Sequence, residues 1–339
     1  MAGDIRVVSA SKADAQRWNV FLDRQATVSP WAHLAWQTVL AEAYGADCRF
    51  LVAEQEGRLA GLLPAYVVRD WLGRRRLYSL RGGLLADAPA GLSALLAAAE
   101  AIPAASRLMA VPAGSEAPGW QARPRETLVL PLASSEDATW RGLRDKTRNM
   151  IRKAEKSGIA VEADWRHLDA FHRLYALNGL RLGLPLHGRA FFAAVARHLG
   201  ESAVLLTAWR ADRPVGGMLL LLGRGTALYP WQAADPESRN LGVVQALNWQ
   251  AMRLAIARGL PELDMGESQP GGPVHQSKLN FGGRPRPLLY LARPAGEAGG
   301  GVAASPEGWG ERLERWLRPA PLALRRWFAE RRLRRGRVV

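Results

Sequence analysis

Residues 226–266 read TALYPWQAADPESRNLGVVQALNWQAMRLAIARGLPELDMG, and this stretch decides the fold class. Its first nine residues predict a strand, because they are largely apolar and end at the turn residues Asp235 and Pro236. From Val243 onward the apolar residues recur at helical spacing, and Gly259 predicts the end of that helix. A second strand, ELDMG, follows. A strand, a helix and another strand in this order predict an α/β protein with a central sheet.

The loop that joins the first strand to the helix, RNLGVV at Arg239–Val244, is a candidate binding site. A helix start carries unpaired backbone N–H groups and the positive end of the helix dipole, so phosphates bind there readily. A glycine lets the backbone approach such a ligand closely. The spacing Arg-x-x-Gly therefore fits a pyrophosphate-binding loop. An ordinary helix start is an equally good interpretation of the same residues.

The remaining sequence shows alternating strands and helices on both sides of a boundary near Pro131. Before it, two strand-like runs joined by Glu56-Gly57 predict a hairpin, and an alanine-rich helix is predicted over Leu92–Ala101. After it, residues 134–158 predict one helix that ends at Gly158. The composition changes to Gly, Ala and Pro after Leu291. We therefore predict domains at 1–131 and 132–292, a linker at 293–308 and a tail at 309–339.

The composition is typical of a folded protein. Hydrophobic residues make up 48% and charged residues 23% of the 339 residues, which is close to globular averages. Cys48 has no partner cysteine, and no spacing of Cys and His residues predicts a metal site. The N-terminus lacks a signal-peptide pattern, and the apolar runs are shorter than a membrane-spanning helix requires. We expect a cytoplasmic location and no metal.

The region from Trp140 to Tyr290 resembles the FemAB family of aminoacyl and acyl transferases, and residues 226–266 resemble the second half of the GNAT acyltransferase fold. The residues that carry this resemblance are Arg148, Ile151, Arg152, Lys153, Ala154, Gly158, Arg181, Gly183, Pro185, Phe191, Phe192, Gly216, Gly217, Trp249, Ala257, Gly259, Asp264, Gly266, Ser268, Lys278, Phe281 and Gly282. The first domain is similar to the family's N-terminal half. The resemblance implies two tandem GNAT-like domains, each with a mixed central sheet flanked by helices.

The resemblance also implies a reaction, in which an amine attacks an acyl ester or thioester directly and no covalent enzyme intermediate forms. Acyl-CoA and aminoacyl-tRNA both remain open as donors. Lys278 stands where the family has a lysine in its donor channel, and lysines are rare in this chain, whose 46 basic residues are almost all arginines. Its ammonium would stabilise the developing oxyanion. Asp264, Glu267, Asp235 or water would accept the proton of the amine, and His275 is a further candidate for the general base.

The binding residues that the resemblance implies form two groups. The donor-binding group is Arg239, Gly242, Val243, Val244, Lys278 and Phe281. The group for the acceptor and its phosphates is Arg148, Arg152, Lys153, Arg181, Tyr229 and Trp231. Arg148, Arg152 and Lys153 belong to a helix with seven basic residues, which would hold a tRNA or a lipid diphosphate. A solvated basic face is the alternative interpretation of that helix.

The tail at 309–339 is basic and amphipathic. Its Trp, Phe and Leu residues recur at helical spacing among ten arginines and three glutamates, which contribute +7 to the net charge of +15. This pattern predicts a helix that lies on an anionic membrane surface, here the inner face of the cytoplasmic membrane. A helix that folds back onto the body is the alternative.

The function that we expect is transfer of an acyl or aminoacyl group to an amine on a cell-envelope precursor, such as a lipid-linked glycan, a peptidoglycan unit or an exopolysaccharide. Two alternatives stay open. One is a soluble acetyl-CoA N-acetyltransferase that acts on a small amine, and the other is a non-catalytic protein that binds a membrane or RNA.

Overall fold

The structure is a computed structural model that describes residues 4–70, 72–182 and 186–294. The predicted tail at 309–339 lies outside these residues, as does the predicted linker from residue 295 onward. The first two residues of that linker, Arg293 and Pro294, belong to the last described strand. In the described ranges, no helix has both the length and the apolar character needed to span a membrane.

Strands and helices alternate along both halves of the chain. The elements of the first half are β1 (Ile5–Ser9), α1 (Ala15–Asp23), α2 (Trp36–Tyr44), β2 (Asp47–Gln55), β3 (Arg58–Arg69), β4 (Arg75–Ser79), β5 (Leu85–Ala86), α3 (Pro89–Ala101), β6 (Ser106–Val111) and β7 (Gln121–Pro131). Those of the second half are α4 (Glu136–Gly142), α5 (Asp145–Lys156), β8 (Ile159–Ala163), α6 (Leu168–Leu182), α7 (Arg189–Leu199), β9 (Ala203–Arg210), β10 (Arg213–Leu222), β11 (Ala227–Ala234), α8 (Val243–Ala257), β12 (Glu262–Glu267), α9 (Pro273–Asn280) and β13 (Arg284–Pro294).

The described strands form one mixed sheet in the order β1-β2-β3-β4-β6-β13-β7-β12-β11-β10-β9-β8, with β5 paired to β3. β4 runs parallel to β6, and β11 runs parallel to β12. Each parallel pair needs a long crossover, which contains α3 in the first half and α8 in the second. The predicted α/β fold is confirmed, and so is the hairpin at Glu56-Gly57, because Gln55 pairs with Arg58.

The two halves exchange their last strands. β13 lies between β6 and β7, where Tyr290 is opposite Ala110 on one side and Arg123 on the other. β7 lies between β13 and β12, where Thr127 is opposite Glu267. Residues from the first half therefore reach the end of β12. The predicted domain limits stay a prediction, since the sheet continues through both halves.

Helices cover both faces of the second half of the sheet. Adjacent strand residues point to opposite faces, and Gly216 and Gly217 of β10 show which helix lies on each. A Cβ at Gly216 would lie 2.5 Å from Val243 Cγ1 of α8, and one at Gly217 would lie 2.7 Å from Phe171 Cδ2 of α6. Both glycines are required because the helices pack directly onto the strand backbone. α5 packs beside α8, so α5 and α6 are on opposite faces.

An apolar core joins the halves on the α6 face. Trp18 and Trp36 of the first half are completely buried with Phe191 and Phe192 of α7. The rings of Trp36 and Phe191 stack with centroids 6.2 Å apart. Because a fully buried large side chain contributes about 1.5–3 kcal/mol relative to an exposed one, this core is a major source of cohesion between the halves.

The prediction of a single helix over residues 134–158 is wrong. The structure has two helices there, α4 and α5, separated by Leu143 and Arg144, which are both extended with ψ near 145°. Leu143 is buried in the core beside α8, and Asp145 occupies the first turn of α5. The extended pair breaks the helix so that Leu143 can be buried while α5 lies along α8.

Candidate functional site

Lys278 lies in the last turn of α9. Pro273 occupies the first helical position, which suits its fixed φ and missing N–H, and the helix ends before the Gly282-Gly283 turn. The Lys278 side chain is buried, and Nζ donates hydrogen bonds to the carbonyl oxygens of Gly266 at 2.8 Å and Glu267 at 3.0 Å. An ammonium has three donors, so one N–H is left without a partner among the described residues.

Burial has a direct effect on the charge of Lys278. Loss of solvation lowers the pKa of Lys278 from 10.5 to about 8. The Asp264 carboxylate opposes this shift, the Arg81 guanidinium adds to it and Glu267 opposes it. Lys278 is therefore mostly charged at neutral pH but loses its proton in the mildly alkaline range.

Asp264 is held in place by two donors. Its Oδ1 accepts hydrogen bonds from the Thr127 hydroxyl of β7 and, at 2.7 Å, from the Gly266 N–H. Tyr229 of β11 is buried, and burial together with the Asp264 charge raises the pKa of this phenol. Tyr229 thus stays neutral, and it adds no charge to the surroundings of Lys278.

Glu267 connects the site to the first half of the chain. Its Oε1 accepts hydrogen bonds from the Tyr290 hydroxyl of β13 at 2.5 Å and from Arg81 at 3.3 Å. Sequence reasoning missed Thr127 and Tyr290, because the exchange of β7 and β13 brings them to the end of β12. It also missed Arg81, which lies in the loop after β4. An acid at position 267 was the one available signal, since it predicts a nearby basic partner.

The two strands beside Lys278 pair over only part of their lengths. β11 and β12 pair only at Ala227–Leu263 and Leu228–Asp264. β11 then has a bulge opposite β10, because Leu219 pairs with Trp231 and Leu221 pairs with Leu228. Two β11 residues, Tyr229 and Pro230, are thus opposite the single β10 residue Leu220. A Cβ added to Gly266 would lie 4.0 Å from the Tyr229 carbonyl oxygen and 3.9 Å from Lys278 Nζ. Lys278 therefore lies beside the point where the pairing of two parallel strands ends.

The family comparison covers the region that contains β11 and β12. Residues 141–272 match a family model described as an acetyltransferase (GNAT) domain. This region of the chain is therefore similar to GNAT acetyltransferase domains. A search of the curated proteins gives no match.

Solved structures with similar folds extend over both halves. FemX has a TM-score of 0.67 at 15% identity, with 84% of this chain and 96% of FemX covered. A tandem GNAT protein from the clavulanic acid biosynthesis pathway has a TM-score of 0.55 at 13% identity, with 86% and 99% covered. L-PGS from Bacillus licheniformis has a TM-score of 0.51 at 13% identity, with 91% and 97% covered. At these identities the likeness shows the fold, which is that of tandem GNAT proteins.

Within the matched region, the start of α8 has no hydrogen bond from a side-chain cap. Arg239 is exposed in the turn before it, at Pro236–Leu241. Gly242 has a φ of +84°, and a Cβ there would lie 2.3 Å from the Met150 carbonyl oxygen of α5. Packing against α5 thus accounts for this glycine without any ligand.

The other predicted donor residues differ in what they can offer. Val243 is fully buried against Gly216, and Phe281 is buried in the same core. Val244 is half-buried. A ligand at the start of α8 would therefore meet backbone N–H groups rather than the side chains of Val243 and Phe281.

His275 holds the loop before α9. Its Nδ1 accepts a hydrogen bond from the Gly271 N–H at 3.0 Å, and its Nε2 lies 3.0 Å from Glu126 Oε1. Because Nδ1 is an acceptor, the neutral ring carries its proton on Nε2. Nε2 is buried and makes no hydrogen bond of acceptable geometry within the described residues, so only Nδ1 has a structural partner.

The predicted acceptor residues do not form one cluster. Arg148, Arg152 and Lys153 are on α5: Arg148 pairs with Asp145, the Arg152 guanidinium lies 5.3 Å from the centre of the Trp140 ring, and Lys153 is exposed. Arg181 is on α6, across the sheet, and donates to Asn178 Oδ1 at 3.0 Å. The β11 bulge sends Tyr229 into the core on the α8 face and Trp231 toward the α7 rings.

A cleft of about 500 Å³ lies elsewhere, in the first half of the chain. It is lined by Tyr44, Gly45, Ala46, Asp47, Val67, Val68, Arg69, Asp70, Gly73 and Arg75. Asp47 pairs with Arg75, and Asp70 pairs with Arg74 and Arg76. Because these charges neutralise one another, we assign the candidate site to the surroundings of Lys278.

Proposed function

We propose that this protein transfers an acyl or aminoacyl group from a thioester or ester to an amine, without a covalent enzyme intermediate. The observation that carries the proposal is the buried Lys278 ammonium beside the point where the pairing of β11 and β12 ends, in a region similar to a GNAT domain. Burying a charge is costly, and groups with strongly shifted pKa values are concentrated at functional sites. The same cost argues against a protein that only binds a membrane or RNA.

The proposed reaction needs one group that stabilises negative charge. The amine nitrogen attacks the donor carbonyl carbon, a C–N bond forms and the carbonyl electrons move to the oxygen. When those electrons return, the C–S or C–O bond breaks and the thiolate or alkoxide leaves. The uncommitted N–H of Lys278 stabilises the oxyanion, a contribution of about 10²–10³ in rate for a single donor.

The attacking amine must lose a proton, and we propose Asp264 as the residue that accepts it. Its Oδ1 is occupied by Thr127 and Gly266, whereas Oδ2 accepts no hydrogen bond within the described ranges. Glu267 is less suited because Tyr290 and Arg81 already bind its carboxylate. Asp235 pairs with Arg213 and caps the turn before α8, so we give it no proton-transfer role.

For the donor, we propose that its phosphates bind at the start of α8. The uncapped N–H group of the half-buried Val244 and the exposed Arg239 are the groups available there, whereas Val243 is fully buried. The GNAT domain favours acyl-CoA as the donor, and aminoacyl-tRNA is the second donor to test.

For the acceptor, we propose an amine on a cell-envelope precursor that carries a lipid or a diphosphate. The basic helix α5 and the basic segment 309–339 support a polyanionic or membrane-bound acceptor at the inner face of the cytoplasmic membrane. FemX and L-PGS, whose folds are similar, motivate the test of envelope substrates.

The test is a donor-by-acceptor matrix with the full-length protein, read by mass spectrometry. Acetyl-CoA, longer acyl-CoAs and aminoacyl-tRNAs are each combined with small amines and with lipid-linked envelope precursors. Acylation of the precursors supports the proposal, and acylation of small amines alone favours the soluble N-acetyltransferase. Absence of any amide product across the matrix would contradict an acyltransferase function. Reactions without acceptor measure donor hydrolysis.

A further inference from the structure

Arg81 comes from the first half of the chain and is fixed in place by its loop. The Leu80 N–H donates to the Pro64 carbonyl oxygen at 2.8 Å, and the Ser29 hydroxyl donates to the Arg81 carbonyl oxygen at 3.1 Å. A Cβ at Gly83 would lie 2.5 Å from Pro64 Cγ, so the loop is packed closely against β3. The Arg81 side chain is only 14% exposed. A guanidinium in such a loop occupies a defined position.

The Arg81 guanidinium reaches Lys278 through a single intermediate residue, Glu267. Arg81 Nη1 lies 3.3 Å from Glu267 Oε1, and the Glu267 carbonyl oxygen accepts a hydrogen bond from Lys278 Nζ at 3.0 Å. The Tyr290 hydroxyl binds the same Oε1 at 2.5 Å, which restricts the carboxylate further. The side chain of Glu267 is thus held by the first half and by β13, while its backbone holds Lys278.

The charges around Lys278 have opposite signs. Asp264 and Glu267 of β12 are negative, Arg81 is positive, and Tyr229 and Tyr290 are phenols that face the two carboxylates. Asp264 and Glu267 favour the ammonium, whereas Arg81 disfavours it. The Arg81–Glu267 pair therefore contributes two opposing effects to the same lysine.

We propose that Arg81 is a positioning residue of this site. It fixes Glu267, and the Arg81–Glu267 pair sets the pH at which the Lys278 ammonium loses a proton. This proposal rests on the proposed role of Lys278 in acyl transfer. It makes the first half of the chain part of the active site. Arg81 itself touches no reacting atom.

The test follows the titration of Lys278 directly. The chain has five lysines, Lys12, Lys146, Lys153, Lys156 and Lys278, so NMR of protein labelled with [ε-¹³C]lysine gives few signals. The Lys278 signal is the one that a Lys278→Met variant lacks. The titrated proteins are the parent, Arg81→Met, Arg81→Lys, Glu267→Gln and Arg224→Met. Arg224 is the matched control, because it also joins the two halves, through Asp23.

We expect the Lys278 midpoint to rise in Arg81→Met and to fall in Glu267→Gln, each by about half a pH unit or more. It should stay near the parent value in Arg81→Lys and Arg224→Met. Equal directions in Arg81→Met and Glu267→Gln, or no shift in either, would overturn the proposal, because loss of a purely structural pair would move both alike.

Transfer rates of the same variants separate this proposal from the proposed function. We expect the alkaline limb of the rate profile to shift in the same direction as the Lys278 midpoint. If the midpoints shift as expected but no variant or parent protein transfers an acyl group, the coupling stands and the proposed function fails. If transfer occurs and the midpoints do not shift, Arg81 is not a positioning residue.

Discussion

Lys278 Nζ lies 2.8 Å from the carbonyl oxygen of Gly266, which has a φ of +80°. That φ is in the left-handed region, where residues with a side chain are disfavoured by roughly 1–2 kcal/mol. The glycine lets β12 turn at its end, so that the carbonyl oxygens of Gly266 and the next residue both point to α9. The position of the ammonium thus depends on the backbone of β12 as well as on the helix that carries the lysine.

Replacing the ammonium tests the role of Lys278 in the reaction. We expect Lys278→Met to lower the transfer rate by about 10²–10³, because the oxyanion loses its donor, while the change in substrate KM is small. Steady-state kinetics with the active donor measure this. Lys12→Met is the control and should keep the parent rate, because Lys12 is an exposed lysine in the short 3-10 helix before α1. A Lys278→Met variant as fast as the parent would remove Lys278 from the mechanism.

The pKa of Lys278 also predicts how stability depends on pH. The folded-state pKa of about 8 is below the unfolded value of 10.5, so between these values the unfolded chain binds more protons. The free energy of unfolding should therefore rise with pH across that window, by about 3 kcal/mol from this residue. The contribution is fully present above pH 10.5 and is lost as the pH falls through 8.

Denaturant unfolding at a series of pH values measures this effect as the difference between the parent protein and Lys278→Met. The subtraction removes the titration of the other residues. A difference that stays constant from pH 8 to pH 10.5 would mean that the lysine has an ordinary pKa, and hence that it is solvated in the folded protein.

The sequence predicted the local part of this architecture. The strand–helix–strand unit at 226–266 follows from its pattern, and Lys278 was singled out by its rarity and by the family resemblance. The partners of Lys278 could not be predicted, because Thr127 and Tyr290 reach β12 only through the exchange of β7 and β13. Arg81 is one of many arginines, and nothing local distinguishes it. The break at Leu143 was missed because burial of that residue depends on α8, which is distant in sequence.

Gly242 provides a test of packing against ligand binding. Gly242→Ala should lower the free energy of unfolding by about 2–4 kcal/mol even without a donor, because a positive φ and overlap with Met150 both add cost. Gly259→Ala is the matched control: Gly259 has a φ of +68° but open space around it, so the expected loss is about 1 kcal/mol. Urea unfolding of both variants measures the difference. Equal losses would show that Met150 does not limit this position.

The basic segment 309–339 leads to the last prediction, which concerns membrane binding. Each arginine near an anionic surface contributes roughly 1 kcal/mol, so ten arginines favour reversible binding to vesicles rich in phosphatidylglycerol. We expect the full-length chain to float with such vesicles and to bind less as salt increases, whereas phosphatidylcholine vesicles should not retain it.

The matched protein is a chain that ends after Pro294. A cut at Ala292 would remove Arg293, which pairs with Glu100 and lies opposite Arg107 in the sheet, and would thereby damage the fold. The 1–294 chain should keep the thermal stability of the parent and should lose flotation. If it floats as well as the full-length chain does, the segment is not the membrane-binding element, and the basic face of α5 becomes the next surface to test.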